Sequence, residues 1–207
     1  MSKPLIIGIT GGSGSGKSTF IRRLTEHFPP EQLCVIAQDN YYLPREQQRQ
    51  DHQGIHNFDL PESINAAAFA RDLEDLIDGK TVQCQEYTFN NELAAPKLLT
   101  FRPAPVLIVE GLFIFHFPEL RRLFDLRVFL YAKDNLKVIR RIKRDQIERN
   151  YPLEDVLYRY EHHVLPTFER YIRPYMDEAD IIVNNNRHFD RGLDVLVGYL
   201  AHHLLKL

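Results

Sequence analysis

The sequence predicts a three-layer α/β domain, in which helices cover both faces of a mainly parallel five-stranded sheet. Short apolar runs alternate along the chain with longer amphipathic stretches, as expected for strands that are joined by crossover helices. A glycine-rich loop separates the first apolar run from the first amphipathic stretch. With 207 residues and a hydrophobic content of 44%, the chain is long enough to bury the core of one such domain.

The apolar runs and the periodic stretches locate the individual elements. Apolar residues recur at helical spacing over residues 66–77, which Gly79 follows, and over residues 193–204. We therefore predict a single domain over residues 1–207. The strand candidates lie at residues 5–10, 33–37, 106–109, 126–131 and 181–183.

Two polar segments are expected to lie over the carboxyl edge of the sheet. Residues 41–61 are rich in turn formers, and residues 81–103 form a small extended insertion that is bounded by prolines. Ligands of open α/β sheets bind at this edge, so the loops that follow strands carry more functional weight than the helices behind them.

Composition and charge narrow the class of protein. The net charge of −2 provides no strong basic field, so we expect no nucleic-acid partner. The chain shows no signal-peptide pattern at its start, and no stretch approaches the roughly 18 apolar residues of a membrane span. These features predict a cytoplasmic protein without a membrane partner. Cys34 lies in an apolar run and is expected to be a buried core thiol.

The glycine-rich loop matches the pattern G-x-x-x-x-G-K-S/T of a phosphate-binding loop. Its glycines let successive backbone N–H groups point at a polyanion, and the helix N-terminus adds the positive end of its dipole. Lys17 is expected to reach the β and γ phosphates of ATP, and Ser18 is expected to bind Mg²⁺. The competing interpretation is a glycine-rich turn before an ordinary helix, which the flanking patterns disfavour. The predicted nucleotide-binding residues are Gly11, Gly12, Ser13, Gly14, Ser15, Gly16, Lys17, Ser18 and Thr19.

Phosphate loops also occur in GTPase switches and ATP-driven machines, so other residues must decide between these classes. A guanine-specific GTPase needs an N-K-x-D element after a later strand, and the sequence contains none. Residues 51–54 spell D-x-x-G but follow a polar run rather than an apolar strand. We therefore favour a kinase.

Two predicted strands end in a carboxylate. Asp39 follows the run at residues 33–37, and Glu110 follows the run at residues 106–109. A kinase needs a group that accepts the proton of the attacking hydroxyl and oxygen ligands that hold Mg²⁺ on the phosphates. Asp39 suits the role of the base, and Glu110 suits the role of a metal ligand. The alternative role for either residue is to cap the loop after its strand.

A basic stretch at residues 135–149 is predicted to form a helix. Arg140 and Arg144 lie four residues apart and share one helix face. Arginines on such a helix can close over a triphosphate as a lid and stabilise charge on the transferring group. Spacing alone leaves open a solvated basic face with an Arg141–Asp145 pair, while the overall charge disfavours nucleic-acid binding by this helix.

These motifs, in this order, resemble the uridine/cytidine kinase family, within the phosphoribulokinase and uridine kinase group of P-loop kinases. Residues 38–42 (QDNYY) are similar to the family's Q-D-S-F-Y, and residues 57–59 (NFD) match N-F-D. Residues 109–111 (VEG) are similar to the strand that ends in E-G. Residues 140–149 (RRIKRDQIER) are similar to the lid segment R-R-x-x-R-D-x-x-E-R.

The resemblance implies a P-loop fold and a role for most of these residues. Asp39 would act as base and also share the Mg²⁺ sphere with Ser18 and Glu110. Tyr42 would lie in the acceptor site, and Asp59 would bind the ribose hydroxyls. The further acceptor-side and lid residues that the resemblance implies are Phe58, Tyr87, Glu92, Arg141, Arg144, Arg149 and Arg159.

The chain departs from the family pattern where the nucleobase would lie. Leu60 and Glu92 stand where the family has histidines, Tyr151 replaces an arginine, and Arg159 replaces a glutamine. A carboxylate only accepts hydrogen bonds and a guanidinium only donates them, so these exchanges predict a changed or relaxed base preference. Pairing of Glu92 with Arg159 at the rim would instead leave the selectivity unchanged.

The sequence thus predicts an enzyme that transfers the γ-phosphoryl group of ATP to the 5′-hydroxyl of a ribonucleoside. Uridine and cytidine are the leading candidates for this acceptor. Two alternatives stay open: a related kinase that acts on a different small-molecule hydroxyl, and a nucleotide-binding regulator without turnover. The presence of Asp39 disfavours the regulator. Members of the family often form tetramers, so a homo-oligomer also stays open, although the sequence locates no interface.

Overall fold

A computed structural model describes residues 3–88, 95–148 and 151–206. Its strands are β1 Leu5–Thr10, β2 Leu33–Ala37, β3 Val82–Gln85, β4 Leu98–Phe101, β5 Val106–Glu110, β6 Leu126–Tyr131 and β7 Ile181–Asn184. Its helices are α1 Lys17–Thr25, α2 Ala66–Ile77, α3 Pro118–Arg121, α4 Asp134–Glu148, α5 Leu153–Arg159, α6 Leu165–Thr167 and α7 Asp190–Leu204. No helix in these ranges combines the length and the apolar character that crossing a bilayer requires.

Five of the strands form one parallel sheet in the order β2-β5-β1-β6-β7, which confirms the predicted fold class. β1, β2 and β6 have the predicted bounds, whereas β5 and β7 each extend one residue further. Ile9 in β1 and Ala37 in β2 both pair with Glu110 in β5. The carboxyl ends of these three strands therefore meet at one edge of the sheet.

Side chains along the buried strands alternate between two hydrophobic cores, one on each face of the sheet. In β5, Leu107 and Val109 belong to one core, and Val106 and Ile108 belong to the other. The first core is covered by α2 and by the helical stretch at residues 153–176, and the second by α1 and α7. This arrangement gives the three layers.

The predicted insertion at residues 81–103 contains β3 and β4, which pair antiparallel as a separate two-stranded sheet. Val82 of β3 is buried in the core beneath α2 and attaches this pair to the domain. Glu92 and Arg149 lie outside the described residues.

The helical stretch at residues 153–176 is absent from the sequence-based elements, and its backbone is irregular. It passes from α5 through a π-helical segment, Tyr160–Val164, and from α6 through a second one, Phe168–Ile172. Each segment stands just before a proline, Pro166 and Pro174. A proline lacks the amide that would bond the carbonyl four residues earlier, and its ring crowds that carbonyl, so a wider turn relieves the contact.

Two neighbouring residues of α7 provide a test of this packing. Leu196 is 2% exposed in the core, whereas Val195 is 62% exposed. We expect Leu196→Ala to lower the free energy of unfolding by about 2–5 kcal/mol, because it removes packed methyl groups and leaves a cavity. Val195→Ala should stay within about 0.5 kcal/mol of the parent. Urea denaturation of both variants measures the difference, and equal losses would contradict the assigned faces of α7.

Candidate active site

The phosphate loop occupies the turn between β1 and α1, where the motif predicts it. Gly14 and Gly16 have φ angles of 80° and 98°, in the left-handed region that favours glycine. A Cβ atom on Gly14 would overlap the carbonyl oxygen of Lys137 in α4. Glycine is therefore required at position 14 both by the backbone angle and by the close approach of α4.

Side chains from outside the motif hold the loop from behind, and motif matching did not identify them. Asn185, just after β7, is buried, and its Nδ2 donates to the Ser15 carbonyl at 2.8 Å. Arg140 donates from Nη2 to the Asn185 carbonyl at 3.0 Å. The only sequence signal for this support is the run of asparagines at residues 184–186, which ends a predicted strand.

Lys137 is a buried cation that packs beneath the same loop. Its Nζ lies 3.2 Å from the centroid of the Phe168 ring and 2.8 Å from Oδ1 of Asp134. Burial lowers the pKa of Lys137, and its hydrogen bond with Asp134 opposes that shift. A Cβ atom on Gly12 would come within 3.0 Å of the Phe168 ring, so this cation–π pair leaves no room behind the loop.

Lys17 and the two strand-end carboxylates form the charged centre of the site. Lys17 Nζ donates to the Gly11 carbonyl at 2.8 Å. Burial lowers the pKa of Lys17, while the charges of Glu110 and Asp39 oppose this shift. Burial, and after it the neighbouring Asp39, raises the pKa of Glu110 to about 7, against the opposing effect of Lys17. The three groups therefore lie within electrostatic reach of one another.

Hydrogen bonds between neighbouring strand ends fix the backbone next to both carboxylates. Thr10 at the end of β1 donates from Oγ1 to the carbonyl of Gly111, which follows Glu110, at 2.8 Å. Gln38, which precedes Asp39, accepts a hydrogen bond at Oε1 from the amide of Phe113 at 2.9 Å. Both anchors are buried, so the carboxylates project from rigid ends of the sheet.

The donor set at this edge suits a hard divalent cation. Burial and, after it, the charge of Asp39 raise the pKa of Glu110, and a cation beside both carboxylates would offset both effects. Ser18 lines the same cleft. Mg²⁺ usually takes one or two protein carboxylates together with phosphate oxygens and water. Ser18, Asp39 and Glu110 therefore fit a Mg²⁺ ion that arrives with a nucleotide.

Arg141 on α4 contacts both sides of the cleft. Its Nη1 donates to Ser13 Oγ of the phosphate loop at 3.0 Å and lies 3.5 Å from Asp59 Oδ1. Its Nε lies 3.1 Å from Asp145 Oδ2, an ionic contact whose N–H is not aligned for a hydrogen bond. Arg144 Nη2 lies 2.9 Å from the other oxygen of Asp145. The buried Asp145 carboxylate thus holds both arginines.

Tyr42 and Phe58 line the same cleft and Tyr87 packs against Tyr42; we call these three rings the aromatic end of the cleft. The ring centroid of Tyr42 lies 5.1 Å from that of Tyr87 and 6.2 Å from that of Phe58. Arg159 on α5 donates from Nη1 to the His56 carbonyl at 3.1 Å. This end therefore offers stacking surfaces and a guanidinium to a flat, polar ligand.

A cleft of about 740 Å³ joins the phosphate loop to the aromatic end. Thr88, Leu112, Arg140 and Tyr151 also line it. Gly11, Gly12 and Ser15 are buried in the loop, and Tyr87 packs against Tyr42. The predicted site residues that line the cleft are Ser13, Gly14, Gly16, Lys17, Ser18, Thr19, Asp39, Tyr42, Phe58, Asp59, Glu110, Arg141, Arg144 and Arg159.

Known proteins resemble this chain over most of its length. The model of the Phosphoribulokinase / Uridine kinase family matches residues 6–190. A uridine kinase from Ligilactobacillus salivarius is 33% identical over 196 residues, which cover 95% of this chain and 92% of the relative. Uridine-cytidine kinase B from Dictyostelium discoideum is 30% identical over 201 residues, which cover 97% of this chain and 83% of the relative.

The similarity extends to solved structures. Phosphoribulokinase from Rhodobacter spheroides superposes with a TM-score of 0.56 at 17% identity, covering 89% of this chain and 71% of that one. At this level of identity the match concerns the fold, and it agrees with the parallel sheet and its helical layers.

The raised pKa of Glu110 predicts a stability cost for the ligand-free protein. The carboxyl titrates at 4.5 as a free group and at about 7 in the fold, so the folded state holds the proton more tightly. Stability contributed by this group is therefore lost as the pH rises from the lower value to the higher one. We expect Glu110→Gln to stabilise the Mg²⁺-free protein by on the order of 2 kcal/mol at pH 8 and by little near pH 5.

Thermal melts in EDTA across this pH range measure the gain. Glu31 is exposed, and Glu31→Gln removes one carboxylate far from the cleft as a control. A stabilisation of Glu110→Gln that does not grow with pH would contradict the raised pKa of Glu110.

Proposed function

Because this chain belongs to the phosphoribulokinase / uridine kinase family, we propose that it transfers the γ-phosphoryl group of ATP to the 5′-hydroxyl of a ribonucleoside. Uridine and cytidine are the first acceptors to consider, since relatives that share at least 30% identity with it include uridine and uridine-cytidine kinases. The product would be the nucleoside 5′-monophosphate, with ADP as the second product.

One observation carries this proposal. The same cleft is lined by the phosphate loop, by the strand-end carboxylates Asp39 and Glu110, and by Tyr42, Phe58 and Asp59. A nucleoside triphosphate on the loop would direct its γ-phosphate toward the carboxylates of Asp39 and Glu110. A nucleoside on the aromatic side would then meet that phosphate with its sugar, as phosphoryl transfer requires.

The phosphate loop and the arginines would bind the donor. Backbone N–H groups of the phosphate loop and the Lys17 ammonium would hold the phosphates, and Arg141 and Arg144 would supply further donors to the transferring group. Ser18, Asp39 and Glu110 would hold Mg²⁺, which neutralises charge on the β and γ oxygens when bound. Buried donors that are already in place need little reorganisation when charge develops in the transition state.

Asp39 would act as the proton acceptor. The 5′-oxygen of the acceptor forms a bond to the γ-phosphorus while the bond from that phosphorus to the bridging oxygen of ADP breaks. The proton of the hydroxyl passes to a carboxylate oxygen of Asp39, and ADP leaves with the electron pair of the broken bond. The Asp59 carboxylate would accept hydrogen bonds from the two ribose hydroxyls, because an ionised carboxylate offers several acceptor sites.

The base would lie among the aromatic rings beside Arg159. A guanidinium donates to carbonyl oxygens of a base but accepts nothing, so this residue favours acceptor groups on the ligand. One N–H of Arg159 is already bonded to the His56 carbonyl, so only its other N–H groups can contact the base. We expect the base preference to be broader than in relatives with a glutamine at this position.

The substitution Asp39→Asn tests the mechanism. It keeps the size of the side chain and removes its capacity to take a proton, so kcat should fall by about 10²–10⁴-fold while ATP still binds. ADP release from Mg·ATP, measured with uridine and with cytidine, gives kcat, and equilibrium dialysis gives ATP affinity. Asp177 is exposed, and Asp177→Asn is the matched control. Unchanged turnover in Asp39→Asn would refute Asp39 as the base.

The same assay identifies the acceptor. Other ribonucleosides and pantothenate are offered separately beside the two pyrimidines. Turnover with uridine or cytidine that Asp39→Asn abolishes would support the proposal. Tight ATP binding without turnover on any ribonucleoside would refute it and direct the search to other hydroxyl compounds.

A further inference from the structure

The loop that carries Phe58 and Asp59 into the cleft is anchored by an aspartate that none of the assigned roles uses. Gln50 and His56 form an isolated bridge that closes a small hairpin, and Asp51 begins its turn. Oδ1 of Asp51 accepts hydrogen bonds from the backbone N–H groups of Gln53 at 2.8 Å and Ile55 at 2.9 Å. One carboxylate oxygen thus fixes the turn itself.

The second oxygen of Asp51 reaches out of the hairpin to the helical stretch behind it. Tyr158 donates its O–H to Oδ2 at 2.8 Å, and Nε2 of His163 lies 2.7 Å from the same atom. We call Asp51, Tyr158 and His163 the Asp51 clasp. Both oxygens of the carboxylate are occupied, each by two groups, and the side chains of Asp51 and His163 are only 13% and 2% exposed.

The charge on Asp51 is maintained by its contacts. Burial alone would raise the pKa of Asp51, but hydrogen bonds from Ile55, His163, Tyr158 and Gln53 lower it well below its ordinary value. An ionised carboxylate only accepts hydrogen bonds, so His163 must donate from Nε2. The anion therefore fixes the position of each donor around it.

The π-helical segment explains how two residues of one helix reach one oxygen atom. Tyr158 and His163 are five residues apart, which in an α-helix is a rotation of about 500° and places them on different faces. The segment Tyr160–Val164 has the wider i→i+5 pattern, which brings residues five apart toward the same side. π-Helical turns of this kind often occur at functional sites.

His163 also has a feature that favours a positioning role over simple packing. Its Nδ1 is buried and has no hydrogen-bond partner within the described part of the chain. A buried polar atom without a partner costs stability, and an apolar side chain of similar size would avoid that cost. Contact with Asp51, rather than packing, therefore explains a histidine at this position.

A second contact ties the same hairpin to the same helix. Arg159, next to Tyr158, donates to the carbonyl of His56 at 3.1 Å. Phe58 lies two residues after His56. The backbone N–H of the next residue, Asp59, donates to Asn57 Oδ1 at 2.9 Å. The position of the acceptor-side loop thus depends on α5 and the π segment. Over the described ranges, the Asp51 carboxylate bonds to its own hairpin, to Tyr158 and to His163, and not to the phosphate loop.

We propose that the Asp51 clasp is a positioning device that sets the affinity for the acceptor by holding residues 49–59 against the helical stretch at residues 153–164. This inference rests on the proposed function, since it assigns Phe58 and Asp59 to the acceptor. The three residues touch no substrate. They act through the hairpin, and a small displacement of a positioned group can lower the rate strongly.

Kinetics on three variants test the device. Asp51→Asn, Tyr158→Phe and His163→Leu each remove one charge or donor while keeping side-chain volume. The KM for the acceptor should rise about tenfold in Asp51→Asn and His163→Leu and about threefold in Tyr158→Phe, while the KM for ATP stays within about twofold. His163→Gln, which keeps a donor, should recover most of the acceptor affinity. Asp194→Asn and Tyr199→Phe on α7 are the matched controls.

His163→Leu separates positioning from stability. It removes the unpaired Nδ1 and adds apolar packing, which offsets the loss of one of the four donors to Asp51, so its melting temperature should stay close to that of the parent while acceptor affinity falls. An unchanged acceptor KM in both Asp51→Asn and His163→Leu would overturn the inference. A parallel rise in the KM values for ATP and acceptor would also overturn it, because the clasp would then support the whole domain.

Hydrogen exchange on the ligand-free protein tests the clasp without any substrate. Amides of residues 49–59 should exchange faster in Asp51→Asn and Tyr158→Phe, while residues 11–17 keep the exchange rates of the parent. Unchanged exchange at residues 49–59 would overturn the inference. Absence of nucleoside turnover in the parent protein would instead refute the proposed function, and the exchange result would still decide whether the clasp holds the hairpin.

Discussion

The phosphate loop imposes the main constraint on this fold, because its backbone N–H groups must stay available to a ligand. A segment that keeps its amides for a polyanion gains little stability from its own hydrogen bonds, so neighbouring elements must hold it. Asn185 bonds the loop from the end of β7, Arg140 bonds Asn185 from α4, and Lys137 fills the space beneath with Phe168. Distant parts of the chain therefore meet at one small loop.

The sheet also brings the charged groups at the centre of the cleft together beside the phosphate loop. The parallel sheet brings the ends of β2 and β5 together, and the register places Glu110 beside the strand that leads into Asp39. Burial and, after it, the proximity of Asp39 raise the pKa of Glu110, while burial lowers the pKa of Lys17. In the proposed function, these unfavourable ionisation states would be relieved when Mg²⁺ and the phosphates bind, so the ligand-free site would be less stable in return for stronger binding.

Local patterns predicted the fold well because each had one dominant physical cause. Apolar runs located the five sheet strands to within one residue, and the loop motif located Lys17 and Ser18. The helical stretch at residues 153–176 escaped prediction because two prolines and polar residues hide its periodicity. Asn185 and the Asp51 clasp also escaped, since their contacts join residues more than a hundred positions apart in the chain and no spacing rule encodes such pairs.

Donor and acceptor sides of the cleft have separate supports, and α4 lies between them. β7 and α4 hold the phosphate loop, whereas α5 and the π segment hold the acceptor hairpin. Arg141 contacts Ser13 on one side and Asp59 on the other, so a shift of α4 changes both sides together. In the proposed function, these supports would let the acceptor side vary, as at Arg159, and the shared arginine would keep the two bound reactants in register for transfer.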